Sequence, residues 1–282
     1  MYHQKKFISE NFIEYEISHF GRYGAKGEKR SEKKKATPEQ IKKQNQRNRI
    51  NLIRRTLQKN FFPNDIWLTL KYAKNTRKTV KEVEADIKKF QNLMRKNYKM
   101  RGESFKWIKR IEIGKNGGLH AHFVINRIYG SEILIQKNWP GYVYYTNIRE
   151  EGGMSALAEY IGKPLPTEVE QLSFFPEEEK RLLKYSTSRN LIRPEPEKKT
   201  FKRKTVRHLL QEQIKPSSQE FRVDPDSIVK GVNPVTGYSF IIYREIRIKP
   251  KEREIKPPEE LKWSRFTSRQ PSGIRSRRRM AL

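Results

Sequence analysis

The sequence contains no cysteine among its 282 residues, and it has only five histidines. Without thiols the chain cannot form a disulfide or a thiolate metal site, so any metal needs histidine, carboxylate or carbonyl ligands. No apolar run approaches the roughly 20 residues of a transmembrane helix, and the N-terminal residues show no signal-peptide core. These absences predict a cytoplasmic protein that does not cross a membrane.

Acidic residues are scarce relative to basic ones. Asp and Glu total 32 against 62 Lys and Arg, which gives a formal net charge of +30 and an isoelectric point near 10.2. A charge of this size repels itself in the compact state and favours a polyanionic partner. We therefore expect nucleic acid. An anionic membrane surface is the alternative, but no basic helix shows a clear apolar and aromatic face.

Composition and patterning divide the chain into three predicted parts. Residues 1–36 end in a stretch rich in Gly, Ser and Lys, which is typical of a flexible arm. Residues 37–195 show the periodicities of one compact domain, which begins with a basic helix over 38–59. Residues 196–282 are charged and rich in proline, which predicts an irregular basic extension with a candidate β-hairpin at 231–248.

The compact part has alternating apolar patterns that predict strands and apolar repeats at helical spacing that predict helices. Their order is β-α-β-β-(α)-β-α, which predicts an α+β fold with an antiparallel sheet and helices on one face. The predicted strands cover 65–73, 104–114, 119–128 and 141–148, and the predicted helices cover 79–98, 131–139 and 155–165.

Two of the five histidines, His120 and His122, follow the glycine-rich turn "GKNGG" in one predicted strand. Alternate residues of a strand point to the same face, so both imidazoles project together. If the turn closes symmetrically, Glu112 pairs with His120 and Arg110 with His122. Two imidazoles and a carboxylate form an open site for a divalent cation. A one-residue slip in register would turn Glu112 away, and the histidines would then be ordinary polar residues.

A candidate nucleophile follows these histidines in "ALAEYIGKP". Tyr160 and Lys163 are three residues apart and therefore share one face of a helix. A tyrosine hydroxyl that is activated near a metal and a lysine can form a covalent phosphotyrosine with a phosphodiester. The competing interpretation is that Tyr160 packs in the core and that Lys163 is a surface lysine.

Three segments in this order resemble a known family. "WLTLKY" (67–72), "HAHFVIN" (120–126) and "YIGK" (160–163) are similar to the three motifs of rolling-circle replication initiators of the HUH endonuclease superfamily. The resemblance is to the phage and plasmid Rep branch, which includes filamentous-phage gene II-like proteins. It covers about residues 50–195.

The resemblance implies an RRM-like or ferredoxin-like sheet and a nuclease site. It implies that His120, His122 and Glu112 hold Mg²⁺ or Mn²⁺. Tyr160 would nick single-stranded origin DNA, keep the 5′ phosphate covalently, free a 3′ hydroxyl for a host polymerase, and later take part in strand transfer and religation. Lys163 would orient or activate the tyrosine or the scissile phosphate.

Further basic residues are predicted to contact DNA. They lie on the basic helix, on the strand beside the histidines, and in a Ser-Arg stretch at 185–196, and they are Arg54, Arg55, Lys109, Arg110 and Arg189. No Walker-A pattern is present, so unwinding is expected to come from a host helicase.

The sequence departs from the family pattern at two places. Lys71 stands where many members carry threonine, and no second tyrosine accompanies Tyr160 at 156 or 164, although Tyr185 stays open as a partner. Two other functions fit part of the pattern. One is an HUH single-strand transposase, and the other is a non-enzymatic RRM-like protein that stacks bases on aromatic residues such as Trp107, Tyr142, Tyr144 and Tyr145.

Overall fold

A computed structural model describes most of the chain and places it in two antiparallel sheets. The described residues are 1–19, 32, 34–114, 117–148, 151–164, 176–202 and 213–257. The strands are β1 (Tyr2–Ile8), β2 (Phe12–His19), β3 (Ile66–Lys71), β4 (Trp107–Ile113), β5 (Leu119–Ile125), β6 (Tyr142–Asn147), β7 (Ser186–Thr187), β8 (Glu197–Phe201), β9 (Phe221–Val232) and β10 (Ser239–Arg247). The α-helices are α1 (Pro38–Asn60), α2 (Val80–Lys99), α3 (Ser131–Asn138), α4 (Ser155–Gly162) and α5 (Glu177–Leu182), and a 3-10 helix spans Glu151–Met154. None of the helices in these ranges is long and apolar enough to span a membrane.

The central sheet has the strand order β6-β3-β5-β4-β7. Its strands pair antiparallel, and one face packs against the apolar sides of α2 and α3 around Phe90 and Phe123. This arrangement confirms the predicted α+β class. Helices also lie on the opposite face, where α1 and α4 pack over Ile108 and Val124. That face is the one that carries the candidate site.

The basic helix α1 begins where the sequence signal places it. Gln40 donates its backbone N–H to the Thr37 hydroxyl at 3.3 Å, and the Gln40 side chain accepts from the Thr37 backbone at 3.0 Å. This capping box satisfies backbone groups that have no partner within the helix. Ile53 and Leu57 are buried against α4 and the central sheet, so the thin apolar stripe of this basic helix faces the protein.

A second sheet contains strands from the segments that were predicted to be a flexible arm and an irregular extension. Its order is β8-β1-β2-β10-β9, so both ends of the chain contribute strands. The flexible arm predicted for 1–36 contains β1 and β2, and the irregular extension predicted from 196 contains β8, β9 and β10. The candidate hairpin at 231–248 is present as β9 and β10, but it starts at Phe221 and contains a bulge between Ile242 and Arg244.

The second sheet was missed because its strands are stabilised by pairing across the length of the chain. β2 pairs with β10, for example through Tyr15 and Tyr243, which stack at 4.6 Å. Local periodicity cannot show a partner that lies so far away in sequence. Residues 20–31 and 33 of the predicted arm, and residues 203–212 and 258–282 of the predicted extension, lie outside the described part of the chain.

A buried ionic cluster joins this second sheet to α1. The carboxylate of Glu14 on β2 accepts hydrogen bonds from Arg54 at 2.7 Å and from Arg55 at 2.8 Å, and Arg55 also bonds Glu16. The Glu14 side chain is only 2% exposed. Because both arginines are largely buried with it, the second sheet and α1 depend on each other for charge neutralisation.

We expect Glu14→Ala to lower the free energy of unfolding by about 3 to 5 kcal/mol, because it leaves buried guanidinium groups without their partner. Urea unfolding followed by circular dichroism measures this change. The matched control is Glu10→Ala, which removes an exposed carboxylate paired with Lys251 at 2.9 Å and should change the same quantity by less than about 1 kcal/mol. Equal small losses in both variants would contradict the packing described here.

Acidification should remove the contribution of Glu14 to the free energy of unfolding. Burial alone would raise the pKa of Glu14, but the hydrogen bonds and positive charges of Arg55 and Arg54 outweigh it and hold the pKa below its ordinary value of 4.5. A carboxyl with a lowered folded-state pKa stabilises the fold above its unfolded pKa, and this stability is lost as pH falls through the folded-state pKa. The difference in free energy of unfolding between wild type and Glu14→Gln should therefore be largest near neutral pH and decrease below about pH 4. Urea midpoints across this range test it, and a difference that does not change with pH would contradict it.

Candidate active site

The hairpin of β4 and β5 sets the site. Its register pairs Glu112 with His120 and Arg110 with His122, as predicted from the symmetric turn. At the turn, the backbone N–H of Gly114 donates to the Gly118 carbonyl at 2.8 Å. Gly117 has a φ of +74°, a left-handed conformation that favours glycine. The glycine-rich turn therefore fixes which carboxylate meets the histidines.

Glu112, His120 and His122 form a group that could bind a metal ion, since one ligand atom from each lies within 4.8 Å of the others. The Oε2 atom of Glu112 is 3.4 Å from Nε2 of His122 and 3.9 Å from Nε2 of His120. Two imidazole nitrogens and one carboxylate oxygen suit a divalent cation and leave coordination positions for other ligands. The residues present therefore fit a divalent cation.

Two residues of β3 hold the ring of His122. Nδ1 of His122 lies 3.0 Å from the Thr69 hydroxyl, and the Trp67 ring stacks on the imidazole at 5.2 Å with planes 4° apart. A hydrogen bond to one ring nitrogen orients the other toward a metal. Because a hydroxyl can donate or accept, Thr69 can support either tautomer of His122. Nε2 of His122 is thus the ring nitrogen that faces Glu112, and the three side chains Glu112, His120 and His122 are called the ligand group below.

Helix α4 brings the phenol of Tyr160 directly onto these ligands. The Tyr160 hydroxyl donates to Oε2 of Glu112 at 2.6 Å and lies 2.8 Å from Nε2 of His122. Its ring packs edge-on against His122 and Trp67, with centroid distances of 5.1 and 5.6 Å. The phenol is therefore held in the site by polar contacts as well as by packing.

Burial and the Glu112 carboxylate hold the proton on the Tyr160 phenol. Burial would raise the pKa of Glu112, but hydrogen bonds from His122, Lys163 and Tyr160 outweigh it and hold the pKa far below its ordinary value. Burial, followed by the hydrogen bond to Glu112, raises the pKa of Tyr160. Burial and then the neighbouring His122 lower the pKa of His120. A lowered histidine pKa keeps the imidazole neutral, as a metal ligand requires.

Two cations complete the site. Nζ of Lys163 lies 2.8 Å from Oε1 of Glu112 and 4.3 Å from the centre of the Tyr160 ring. Arg110 is 3% exposed, and its Nη1 donates to the carbonyls of Ile161 and Lys163 at 2.8 and 2.5 Å. Arg110 thus binds the carboxyl end of α4, where a cation is favoured by the helix dipole. It fixes the helix that carries Tyr160.

The structure gives most of the predicted DNA-binding residues other partners. Arg110 is occupied by the end of α4, and Arg54 and Arg55 are bound to Glu14 in the buried cluster. Lys109 lies on the opposite face of the central sheet and pairs with Glu84 of α2. These four side chains bind other groups of the protein, and their contact with DNA stays a prediction. Arg189 is exposed and stays a predicted DNA contact.

Two residues that position the site were not predicted from the sequence, namely Thr69 and Trp67. Both lie in the first motif segment, and Thr69 stands opposite His122 in the pairing of β3 with β5. Alternation along β3 already places Trp67 and Thr69 on one face. Only the strand order, with β3 next to β5, shows that this face meets His122.

We expect Mn²⁺ to bind through the three ligands. Glu112→Gln and His120→Ala should each weaken Mn²⁺ binding at least about tenfold, because each removes one ligand of the set. Isothermal titration calorimetry measures the affinity. His3→Ala, in the second sheet, is the matched control and should bind as wild type does.

Tyr160→Phe should keep or strengthen Mn²⁺ binding, because the hydroxyl that contacts Glu112 and His122 is gone while the ligands remain. Loss of binding in Tyr160→Phe, or no loss in Glu112→Gln and His120→Ala, would contradict the assignment of the ligands.

Part of the chain that includes the candidate site is similar to a known protein family. No curated protein and no solved structure was found to match the chain. Residues 65–165 match the family model of replication-associated proteins of the ORF2/gene II protein type. The matched range contains Glu112, His120, His122, Tyr160 and Lys163. The similarity of this part of the chain to that family of replication-associated proteins supports a Rep-type replication initiator.

Proposed function

We propose that this protein initiates rolling-circle replication by nicking single-stranded origin DNA through a covalent link to Tyr160, with the help of a divalent cation. One observation carries the proposal. The Tyr160 hydroxyl is in hydrogen-bond contact with both Glu112 and His122, two of the three candidate metal ligands. A tyrosine that only packed in the core would not need its oxygen among these groups.

The proposed reaction is a transesterification. The phenol oxygen of Tyr160 bonds to phosphorus while the bond from phosphorus to the 3′ oxygen breaks. The phenol proton passes to solvent and the 3′ oxygen takes up a proton, so the products are a 5′ phosphotyrosyl link and a free 3′ hydroxyl. Mg²⁺ or Mn²⁺ held by Glu112, His120 and His122 would neutralise charge on the phosphate and compete with the phenol proton for Glu112.

Lys163 has the position of a group that assists the phenolate. Its ammonium lies between the Glu112 carboxylate and the face of the Tyr160 ring. A positive charge at this place stabilises negative charge on the phenol oxygen as the proton leaves. Arg110 also lies against the site, with its Nε 3.2 Å from Oε1 of Glu112. It holds the end of α4 and thereby the position of Tyr160.

The composition fits a DNA substrate. The net charge of +30 favours phosphate binding that weakens steeply with salt. A free 3′ hydroxyl would serve a host polymerase, and a host helicase would supply unwinding. Tyr185, the other tyrosine considered from the sequence, packs beside the apolar cluster of α1 and α4. We therefore assign the covalent step to Tyr160 alone.

A non-enzymatic single-strand-binding protein is the alternative function. It would use the same basic surface and an open sheet, but it would have no use for a phenol bonded to a carboxylate and an imidazole. The two functions differ in one product, a covalent protein–DNA adduct.

We expect the protein to form an SDS-resistant adduct with single-stranded origin DNA in the presence of Mn²⁺. Mass spectrometry of the digested adduct should place the nucleotide on Tyr160. Tyr160→Phe, His120→Ala and removal of the metal should each abolish the adduct, because they remove the nucleophile or the cation.

Tyr185→Phe is the matched control, since it removes a hydroxyl of the same type away from the ligand group, and its adduct yield should equal that of wild type. An adduct on another tyrosine would contradict the assignment of Tyr160. No adduct on any residue under any metal, with DNA binding intact, would favour the binding protein.

A further inference from the structure

The face of the central sheet that carries the ligand group extends to the open edge strand β6. β3 lies between β5, which holds the histidines, and β6. Residues that stand opposite each other in neighbouring strands share a face. The register therefore shows which side chains of β6 accompany the candidate metal ligands.

Two rows of side chains cross this face. In the first row, Tyr142 stands opposite Lys71, which stands opposite His120. In the second row, Tyr144 stands opposite Thr69, which stands opposite His122. Strands are about 4.8 Å apart, so each tyrosine begins about 10 Å from the histidine of its row. The two phenol rings thus lie on the same surface as the ligand group, at a distance that a short piece of single-stranded DNA can span.

These two rings are unusually open for large side chains. Tyr142 is 56% exposed and Tyr144 is 58% exposed, whereas Val124 and Ile108, one row further along the same face, are buried beneath α1 and α4. Within the described part of the chain, helices therefore cover only part of the face and leave the strip beside the ligand group accessible. Tyr145 of the same strand pairs with Leu68 and points to the other face, where it is 37% exposed.

A lysine lies between the tyrosines and the ligand group. Lys71 is exposed, and its Nζ is 5.1 Å from the centre of the Tyr144 ring. A cation beside two open aromatic rings is the combination that binds a phosphate and its neighbouring bases together.

The edge strand is held in this register by a close contact at its start. Gly141 precedes β6, and a Cβ atom at this position would lie 2.1 Å from the Lys71 carbonyl oxygen. The indole of Trp139 also donates to that carbonyl at 3.0 Å. The backbone of β6 thus begins directly against the end of β3, which fixes Tyr142 beside Lys71.

We propose that Tyr142 and Tyr144 form a base-stacking platform for single-stranded DNA, with Lys71 bound to an adjacent phosphate. The platform would hold nucleotides next to the phosphate that Tyr160 attacks, so its placement rests on the proposed function. Single-stranded DNA is the fitting partner because its bases are free to stack on aromatic rings, and stacking of this kind tolerates any base. The high positive charge of the chain matches the charge of such a strand.

The test measures binding apart from cleavage. Fluorescence anisotropy with labelled oligothymidine, in EDTA and in a Tyr160→Phe background, reports affinity without any nick. Tyr142→Ala and Tyr144→Ala should each weaken binding by about fivefold or more. Tyr144→Phe should retain wild-type affinity because it keeps the ring. The matched control Tyr145→Ala removes a tyrosine from the same strand but the other face, and it should bind as the background protein does.

An abasic oligomer of the same length separates stacking from charge, since it keeps the phosphates and lacks the bases. The Tyr144→Ala effect should vanish with this oligomer, whereas Lys71→Ala should still weaken binding. Irradiation of DNA that carries 5-iodouracil should crosslink to Tyr142 or Tyr144, because the photoreaction joins the base to a stacked ring.

Several results would overturn the platform. Equal losses in Tyr145→Ala and Tyr144→Ala, an unchanged affinity in both alanine variants of the platform, or a Tyr144→Ala effect that persists on abasic DNA would each do so. Failure of the proposed function is seen separately, as the absence of a Tyr160 adduct in protein that binds DNA through these rings.

Discussion

The carboxylate of Glu112 is the contact on which the site depends. It accepts the Tyr160 hydroxyl, pairs with Lys163, and lies beside the imidazoles of His120 and His122. A buried carboxylate is stable only when its charge is compensated. Here the compensating groups are the proposed nucleophile, a cation and the other candidate ligands, so the arrangement that stabilises the charge also assembles the proposed chemistry.

The rest of the fold serves to hold this carboxylate and the phenol together. The β4–β5 turn sets Glu112 opposite His120, and β3 fixes His122 through Thr69. α4 is held by Arg110 at its carboxyl end and by α1 along its side. α1 in turn is bound to the second sheet through the buried cluster around Glu14. Both ends of the chain thus support the helix that carries the proposed nucleophile.

Local sequence signals were sufficient for the hairpin and for the grouping of Glu112, His120 and His122. The turn "GKNGG" allowed one symmetric register, and alternation then placed Glu112, His120 and His122 on one face. The tyrosine was found from its motif and from its helical spacing to Lys163. These are short-range constraints, and they act within one turn or one helix.

Long-range pairing could not be predicted in this way. The second sheet joins strands from the two ends of the chain, and its partners give no local sign of each other. The role of Arg54 and Arg55 depends on Glu14 in that sheet, so the sequence alone gave no reason to place them inside the protein rather than on DNA. The position of Lys109 could be predicted from the sequence. Adjacent residues of a strand point to opposite faces, so Lys109 cannot share the face of Arg110.

A divalent cation and the Tyr160 oxygen are proposed to occupy one site. Anomalous diffraction from crystals soaked in Mn²⁺ measures the position of the ion directly. We expect one strong peak within bonding distance of Glu112, His120 and His122, next to the Tyr160 oxygen. A peak bound elsewhere with these three side chains uncoordinated, or a Tyr160 oxygen turned away from the ion, would contradict it.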